Sequence, residues 1–210
     1  MNQCKFDNKI VPKPWGYEYL LYSNDNVGIW YLNINYNERT SLHAHPNKKT
    51  GLIILSGVAK VSFLNHSFTL TPPDKTMIRH GVFHSTKAKS KCGLEVLEIE
   101  TPVDKEDLIR LEDYYGREGT PYEDSSSYID GTDIRLLYKE ILQLGDCELT
   151  ITDGLCHNDF HTSIILNGGI ISHNNYPVVS YGDIVDNETC IRLANKFNVL
   201  DNTQIVGVNY

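Results

Sequence analysis

From Gly28 to Glu100 the chain is a succession of short apolar runs separated by turn chemistry, and this pattern limits the fold more than any other feature. Gly28–Tyr36 reads GIWYLNINY, rich in β-branched and aromatic residues; Leu52–Leu55, Ala59–Leu64, Ser67–Leu70, Met77–Arg79 and Leu94–Glu100 follow at close intervals. Asn37-Glu38, Ser56-Gly57, Asn65-His66 and Thr71-Pro72-Pro73-Asp74 lie between them, and these residue types favour turns. Many short strands at even spacing predict an all-β sandwich or barrel. One helix is predicted, over Asp104–Tyr115. Asp104 would cap it, Leu108, Leu111 and Tyr115 have helical spacing, and Gly116 would end it.

Residues 119–132 are polar, with three consecutive serines, and read as a linker. Strands resume near Ile134. Residues 52–79 and 163–193 each run from an apolar strand through a Gly-containing hairpin to a second pair of strands, and aligning Leu55-Ser56-Gly57 with Leu166-Asn167-Gly168 brings Asp74 opposite Asp183. An internal duplication is therefore expected. The predicted organisation is a barrel at 11–118, a linker at 119–132, and a β-rich domain at 133–210.

The 210 residues carry a formal net charge of -8, which argues against a nucleic-acid partner, because phosphate backbones select basic faces. No apolar run approaches the roughly 20 residues that span a bilayer. Met1 to Pro14 lacks the apolar segment of a signal peptide. The five cysteines (Cys4, Cys92, Cys147, Cys156 and Cys190) are scattered and without CxxC spacing. They read as free thiols, and the expected location is the reducing cytoplasm.

The sharpest local signal is Ser41-Leu42-His43-Ala44-His45. Alternate residues of a strand face the same way, so His43 and His45 project together. Two imidazoles make half a metal site, and His84, which follows Gly81 after a strand, is the candidate third ligand. Imidazole suits zinc, manganese, iron and nickel, so the ligands leave the identity of the one divalent ion open. His157 and His161 are candidate ligands of a second site, but nothing near Leu193 replaces His84, so no second metal site is expected.

These motifs resemble those of the cupin superfamily, jelly-roll β-barrels with an HxH motif followed by Glu and Gly, and a second motif containing PxGxxH. Here the first runs from His43 through Thr50 to Gly57, and the second is Arg79-His80-Gly81-Val82-Phe83-His84, with Arg79 replacing proline. Thr50 stands where the family places a metal-binding glutamate. That leaves three alternatives: a three-histidine site, a site completed by another carboxylate such as Glu98 or Glu100, or an empty site. Lys13-Pro14-Trp15-Gly16 and the segment from Glu98 through Arg110 to Arg117 are similar to the entry and close of the cupin domain of type II mannose-6-phosphate isomerases. This likeness covers about residues 11–118, and the second half is expected to be a degenerate second barrel of a bicupin.

The resemblance implies a metal-dependent aldose–ketose isomerase of a sugar phosphate. A metal would polarise the oxygens at C1 and C2, and a base would move a proton between the carbons through an enediol. It implies His43, His45 and His84 as metal ligands and Arg110 as a phosphate contact. Lys49, Glu98 and Glu100 are the candidate catalytic groups. Lys48 is a candidate cation for a phosphate or carboxylate, and Trp15 either stacks on a sugar ring or anchors the first strand. A non-catalytic sugar or sugar-nucleotide binding module of polysaccharide biosynthesis is a second reading, and an epimerase or oxygenase a third, since one fold hosts many chemistries. A homodimer is expected, because pairing hides exposed strands.

Overall fold

The computed structural model describes residues 6–131, 134–155 and 160–210, so Cys4, Cys156 and His157 lie outside the described residues. The first part of the chain forms β1 (Lys9–Lys13), β2 (Gly16–Ser23), β3 (Gly28–Ile34), β4 (Leu42–Ala44), β5 (Lys49–Gly57), β6 (Ala59–Phe63), β7 (Ser67–Leu70), β8 (Lys75–Ile78), β9 (His84–Ala88), β10 (Leu94–Thr101), β11 (Ile109–Glu112) and β12 (Ile129–Asp130). These make two antiparallel sheets, in the orders β12-β1-β2-β3-β10-β5-β8 and β11-β4-β9-β6-β7. Trp30, Leu32, Leu52, Ile54, Val61 and Val96 fill the space between them. This is the all-β jelly roll expected from the strand pattern.

The larger sheet is apolar on both faces. Ile29, Tyr31, Ile53, Leu55, Leu97 and Ile99 alternate with the inward residues and pack against the second half of the chain. Burial on both sides explains why Leu52–Leu55 is an unbroken apolar run rather than an alternating one. Gly51 lies at this junction, where a Cβ would stand 2.5 Å from Ile184 Cδ1.

The second half forms β13 (Ile141–Leu144), β14 (Cys147–Asp153), β15 (Thr162–Asn167), β16 (Gly169–Ile171), β17 (Pro177–Ser180), β18 (Ile184–Asp186), α1 (Asn187–Ala194), β19 (Asn198–Val199) and β20 (Gln204–Asn209). The sheet order β13-β14-β20-β15-β18 repeats that of β2-β3-β10-β5-β8, and β17-β16-β19 repeats β7-β6-β9. Asp74 and Asp183 make the same turn. Their carboxylates accept the backbone N–H groups of Thr71 and Ser180, each at 2.8 Å, and their carbonyls accept from Ile54 and Ile165, each at 3.0 Å. Among the described residues nothing in this half corresponds to β4 and β11. Where the first half approaches β9, the second has α1, capped by the Asp186 carboxylate on the Thr189 N–H at 2.8 Å.

The helix expected over Asp104–Tyr115 is replaced by a turn and β11, which pairs with β4. The residues that suggested a cap are committed otherwise. The Asp104 carboxylate accepts from the Glu106 N–H, and Asp107 accepts the backbone N–H groups of Asn47 and Lys48. Strand alternation turns Leu108 and Arg110 into the cavity and leaves Ile109 and Leu111 exposed. The stretch expected as a linker also packs on the barrel, with Tyr122 buried and β12 paired to β1. Among the described residues no helix is long and apolar enough to cross a membrane, and Cys92 and Cys147 are free thiols.

Candidate metal centre and its charged cavity

Strand pairing assembles the three histidines. His43 on β4 is the direct cross-strand partner of His84, the first residue of β9. His45 lies two residues beyond His43 and shares its face. Gly81, at φ +71°, makes the turn into β9, and its N–H donates to the His45 carbonyl at 2.7 Å. A positive φ is cheap only for glycine, which accounts for Gly81 three residues before His84. Ring centroids lie 4.9 Å apart for His43 and His45, 4.5 Å for His43 and His84, and 5.4 Å for His45 and His84.

Each Nδ1 donates to a backbone carbonyl: His43 to Ser41 at 2.8 Å, His45 to Asp107 at 2.6 Å and His84 to Val82 at 3.0 Å. That fixes the tautomer and leaves Nε2 as the lone-pair atom on each ring. The ligand atoms of the three all lie within 4.8 Å of one another, and the His45 Nε2 is buried without a partner. Burial, with the neighbouring imidazoles, pushes the His43 pKa well below 6.5. Burial and then Lys48 bring His45 down to about 3, and burial lowers His84. Three neutral imidazoles with oriented rings suit a divalent ion. Among the described residues no carboxylate joins the cluster.

Beside the triad is a cavity lined by Lys13, Trp15, Glu98, Leu108, Arg110 and Tyr122, among others, with room of about 50 Å³ for the centres of water molecules. Its floor is a buried ion network centred on Lys105. The Lys105 ammonium lies 2.5 Å from Glu100, 3.3 Å from Glu98 and 3.4 Å from Glu18, and 3.9 Å from the centre of the Trp30 ring. Burial opposes this charge, but the Glu100, Glu18 and Glu98 carboxylates outweigh it and raise the Lys105 pKa. Burial likewise opposes ionisation of Glu98 and Glu18, but Lys105, joined by Lys48 and a Glu100 hydrogen bond at Glu98 and by Lys13 and Tyr122 at Glu18, brings both carboxyl pKa values below 4.5. Tyr122 donates to Glu18, and Lys13 pairs with Glu123 and, at 3.5 Å, with Glu18.

Of the residues singled out from sequence, His43, His45, Lys48, Glu98, Arg110 and Trp15 line this cavity. Trp15 is also part of the core between the sheets. Glu98 and Glu100 continue the inward face of Leu94 and Val96. Glu100 is fully buried beneath the cavity and lies opposite Thr50 in the β5–β10 pairing. Its carboxylate is held by Lys105 and, at 3.2 Å, by Lys48, whose ammonium also donates to the Asp104 carbonyl. Lys49 is the residue the structure places elsewhere. One position along from Lys48, it faces the second half and pairs with Asp183 at 2.6 Å. His161 is exposed, its Nδ1 accepting from the Tyr210 N–H. Lys13, Glu18, Lys105, Tyr122 and Glu123 were missed. Lys13 and Glu18 flank the Pro14-Trp15-Gly16 segment, which was the available signal, while Tyr122 and Glu123 fall in the stretch read as a linker.

Arg110 is held at its tip. Its Nη1 donates to the Thr120 and Pro121 carbonyls, the latter at 2.8 Å, and Nη2 lies 3.8 Å from Glu123. Its Nε is buried without a partner.

Residues 2–113 match the family of the mannose-6-phosphate isomerase C-terminal domain. The alginate biosynthesis protein AlgA of Pseudomonas aeruginosa is 28% identical over 122 residues, which are 57% of this chain and 24% of that protein. The mannose-1-phosphate guanylyltransferase of Klebsiella pneumoniae is 28% identical over 112 residues, 52% of this chain and 24% of that one. The match thus spans about a quarter of the length of these relatives. Similar solved structures include KdgF from Halomonas sp. (13% identity, TM-score 0.41, covering 44% of this chain and 84% of that one) and a cupin superfamily protein from Desulfitobacterium hafniense (25% identity, TM-score 0.37, covering 41% and 76%). Through residues 2–113, this chain belongs to the mannose-6-phosphate isomerase C-terminal family.

Proposed function

We propose that this chain binds one divalent metal on His43, His45 and His84 and isomerises a phosphorylated sugar between aldose and ketose forms. The observation that carries the proposal is a cavity lined by the imidazoles of His43 and His45, whose ligand atoms meet that of His84, together with an ionised Glu98 and an arginine with an unpartnered N–H. The printed names of the relatives, a mannose-1-phosphate guanylyltransferase and proteins of alginate and xanthan biosynthesis, support a phosphorylated sugar as ligand.

A divalent ion held by the triad would supply Lewis-acid polarisation of the sugar's carbonyl and neighbouring hydroxyl oxygens. The remaining roles fall to side chains. Arg110 offers its free Nε–H to a phosphate oxygen, a charge-assisted bond. Glu98, kept ionised by Lys105, accepts the proton from C2 and returns it at C1. Trp15, Leu32 and Leu108 wall the cavity against bulk water.

The test is proton NMR of hexose, pentose and heptose phosphates in D2O with the protein and manganese, iron(II) or zinc. The expected result is loss of the C2 proton signal of one sugar phosphate, dependent on metal. Arg110→Gln is expected to weaken that substrate by about tenfold or more, the value of a hydrogen bond to a charged group. A second reading, sugar binding without turnover, draws on Thr50 in the glutamate position and on carboxylates that are all paired with lysines. No C2 exchange across the panel at full metal occupancy would favour it.

A further inference from the structure

The sheet that carries the histidines has a second face, and that face is basic. On β9, His84 joins the histidine cluster and Thr86 pairs with the core residue Val61, while Ser85 and Lys87 line the outer face. On β6, Ala59 and Val61 enter the core and Lys60 and Ser62 turn out. An open groove of about 320 Å³ runs over this outer face, with Arg39, Lys60, Lys87 and Lys89 among its lining residues. Four cations gather here on a chain whose formal net charge is -8.

Strand register puts these charges directly against one another. Lys60 is the cross-strand partner of Lys87, and Arg39 bridges to Lys87 from the other side. Like charges placed directly opposite in a sheet are destabilising, and here three are placed in a row, about 5 Å apart from strand to strand. Among the described residues none of the four is in an ion pair. Glu112 is the acid in the lining. Glu38, whose charge also reaches Lys87, accepts the Tyr115 hydroxyl at 2.5 Å. The Arg39 guanidinium lies 3.7 Å over the Tyr114 ring, which holds its position. Burial and then Arg39 and Lys89 lower the Lys87 pKa.

An unbalanced row of cations is relieved by a ligand with several adjacent negative charges. A single anion meets at most two members of the row, whereas linked anionic groups meet all three. Ser62 adds a short hydroxyl donor beside the cations, suited to phosphate oxygens. Leu42, Phe63 and Tyr114 give the groove an apolar rim against which a ring can rest. We propose that this groove binds a condensed phosphate, either inorganic pyrophosphate or the diphosphate of a nucleotide. The site is separate from the histidine cavity and independent of the isomerase reading, because it lies on the opposite face of the same sheet.

The test is calorimetric titration of the full chain at low salt with sulfate, inorganic phosphate, pyrophosphate and ADP. Pyrophosphate is expected to bind about tenfold or more tightly than phosphate, and the double variant Lys60→Gln/Lys87→Gln to lose about tenfold or more of that affinity. His84→Ala is expected to leave it unchanged. Melting curves check that the double variant stays folded, and removal of like charges is expected to hold or raise its melting temperature. Tighter binding of ADP than of pyrophosphate, with the gain lost in Phe63→Ala, would assign the nucleotide; equal affinity would assign the inorganic ligand. Equal response to sulfate, phosphate and pyrophosphate would overturn the proposal. So would no binding, binding that survives in the double variant, or binding lost with His84→Ala.

Discussion

A Lys105→Met variant is expected to lose about 3–5 kcal/mol of folding stability at neutral pH, the cost of removing one partner from a buried ionic cluster. The lysine alone stands within ion-pairing distance of Glu18, Glu98 and Glu100, all buried or nearly so. Methionine fills similar space, removes the ion-pair partner of Glu98, and leaves Glu18 with Lys13 and Glu100 with Lys48. The loss depends on pH in a defined direction. In the native protein the Glu18 and Glu98 pKa values lie below 4.5, so their contribution is present above 4.5 and is lost as pH falls through the folded values. Without Lys105, burial dominates and raises those pKa values, so the variant becomes less stable as pH rises above 4.5. Denaturant unfolding at several pH values is therefore expected to show the largest deficit near neutrality and converging curves in acid. A uniform deficit at every pH would mean that lost packing, not charge, is responsible.

His84→Ala is expected to lower divalent-metal affinity by at least about 100-fold, since loss of an outer hydrogen-bond partner alone costs 10–100-fold. Removing His84 leaves only the His43 and His45 pair of the HxH strand. Competition with a chromogenic chelator reads the change, and cooperative unfolding of the metal-free variant checks the fold. An affinity equal to that of the native protein would remove His84 from the centre.

The histidine cluster was legible because two simple rules describe it. Strand alternation puts His43 and His45 on one face, and Gly81 permits the turn that begins β9 at His84. The jelly roll was legible for a similar reason: apolar runs of strand length broken by turn residues. The alignment of residues 52–79 with 163–193 sets Asp74 opposite Asp183, and these two residues make matching turns.

The remainder depended on contacts that one-dimensional spacing does not carry. Leu108, Leu111 and Tyr115 fit a helix, but β4 has an edge that β11 covers, and pairing overrides the spacing. Lys48 and Lys49 are adjacent, so alternation sends one to the cavity floor and the other to Asp183. Lys13, Glu18, Glu98, Lys105 and Tyr122 come from separate segments and meet only once two sheets close over them. Apart from Glu98, which continues the inward face of Leu94 and Val96, each is an isolated polar residue along the chain, with no periodicity to mark it as buried.

The measurement closest to the central proposal is nuclear relaxation of mannose 6-phosphate in the presence of the manganese-loaded protein. A metal on the three histidines, with the phosphate turned toward Arg110, predicts stronger paramagnetic relaxation of the C1 and C2 protons than of the phosphorus, and its loss in His84→Ala. Stronger relaxation of the phosphorus, or none at full manganese occupancy, would contradict a sugar phosphate bound with its carbonyl end at the triad.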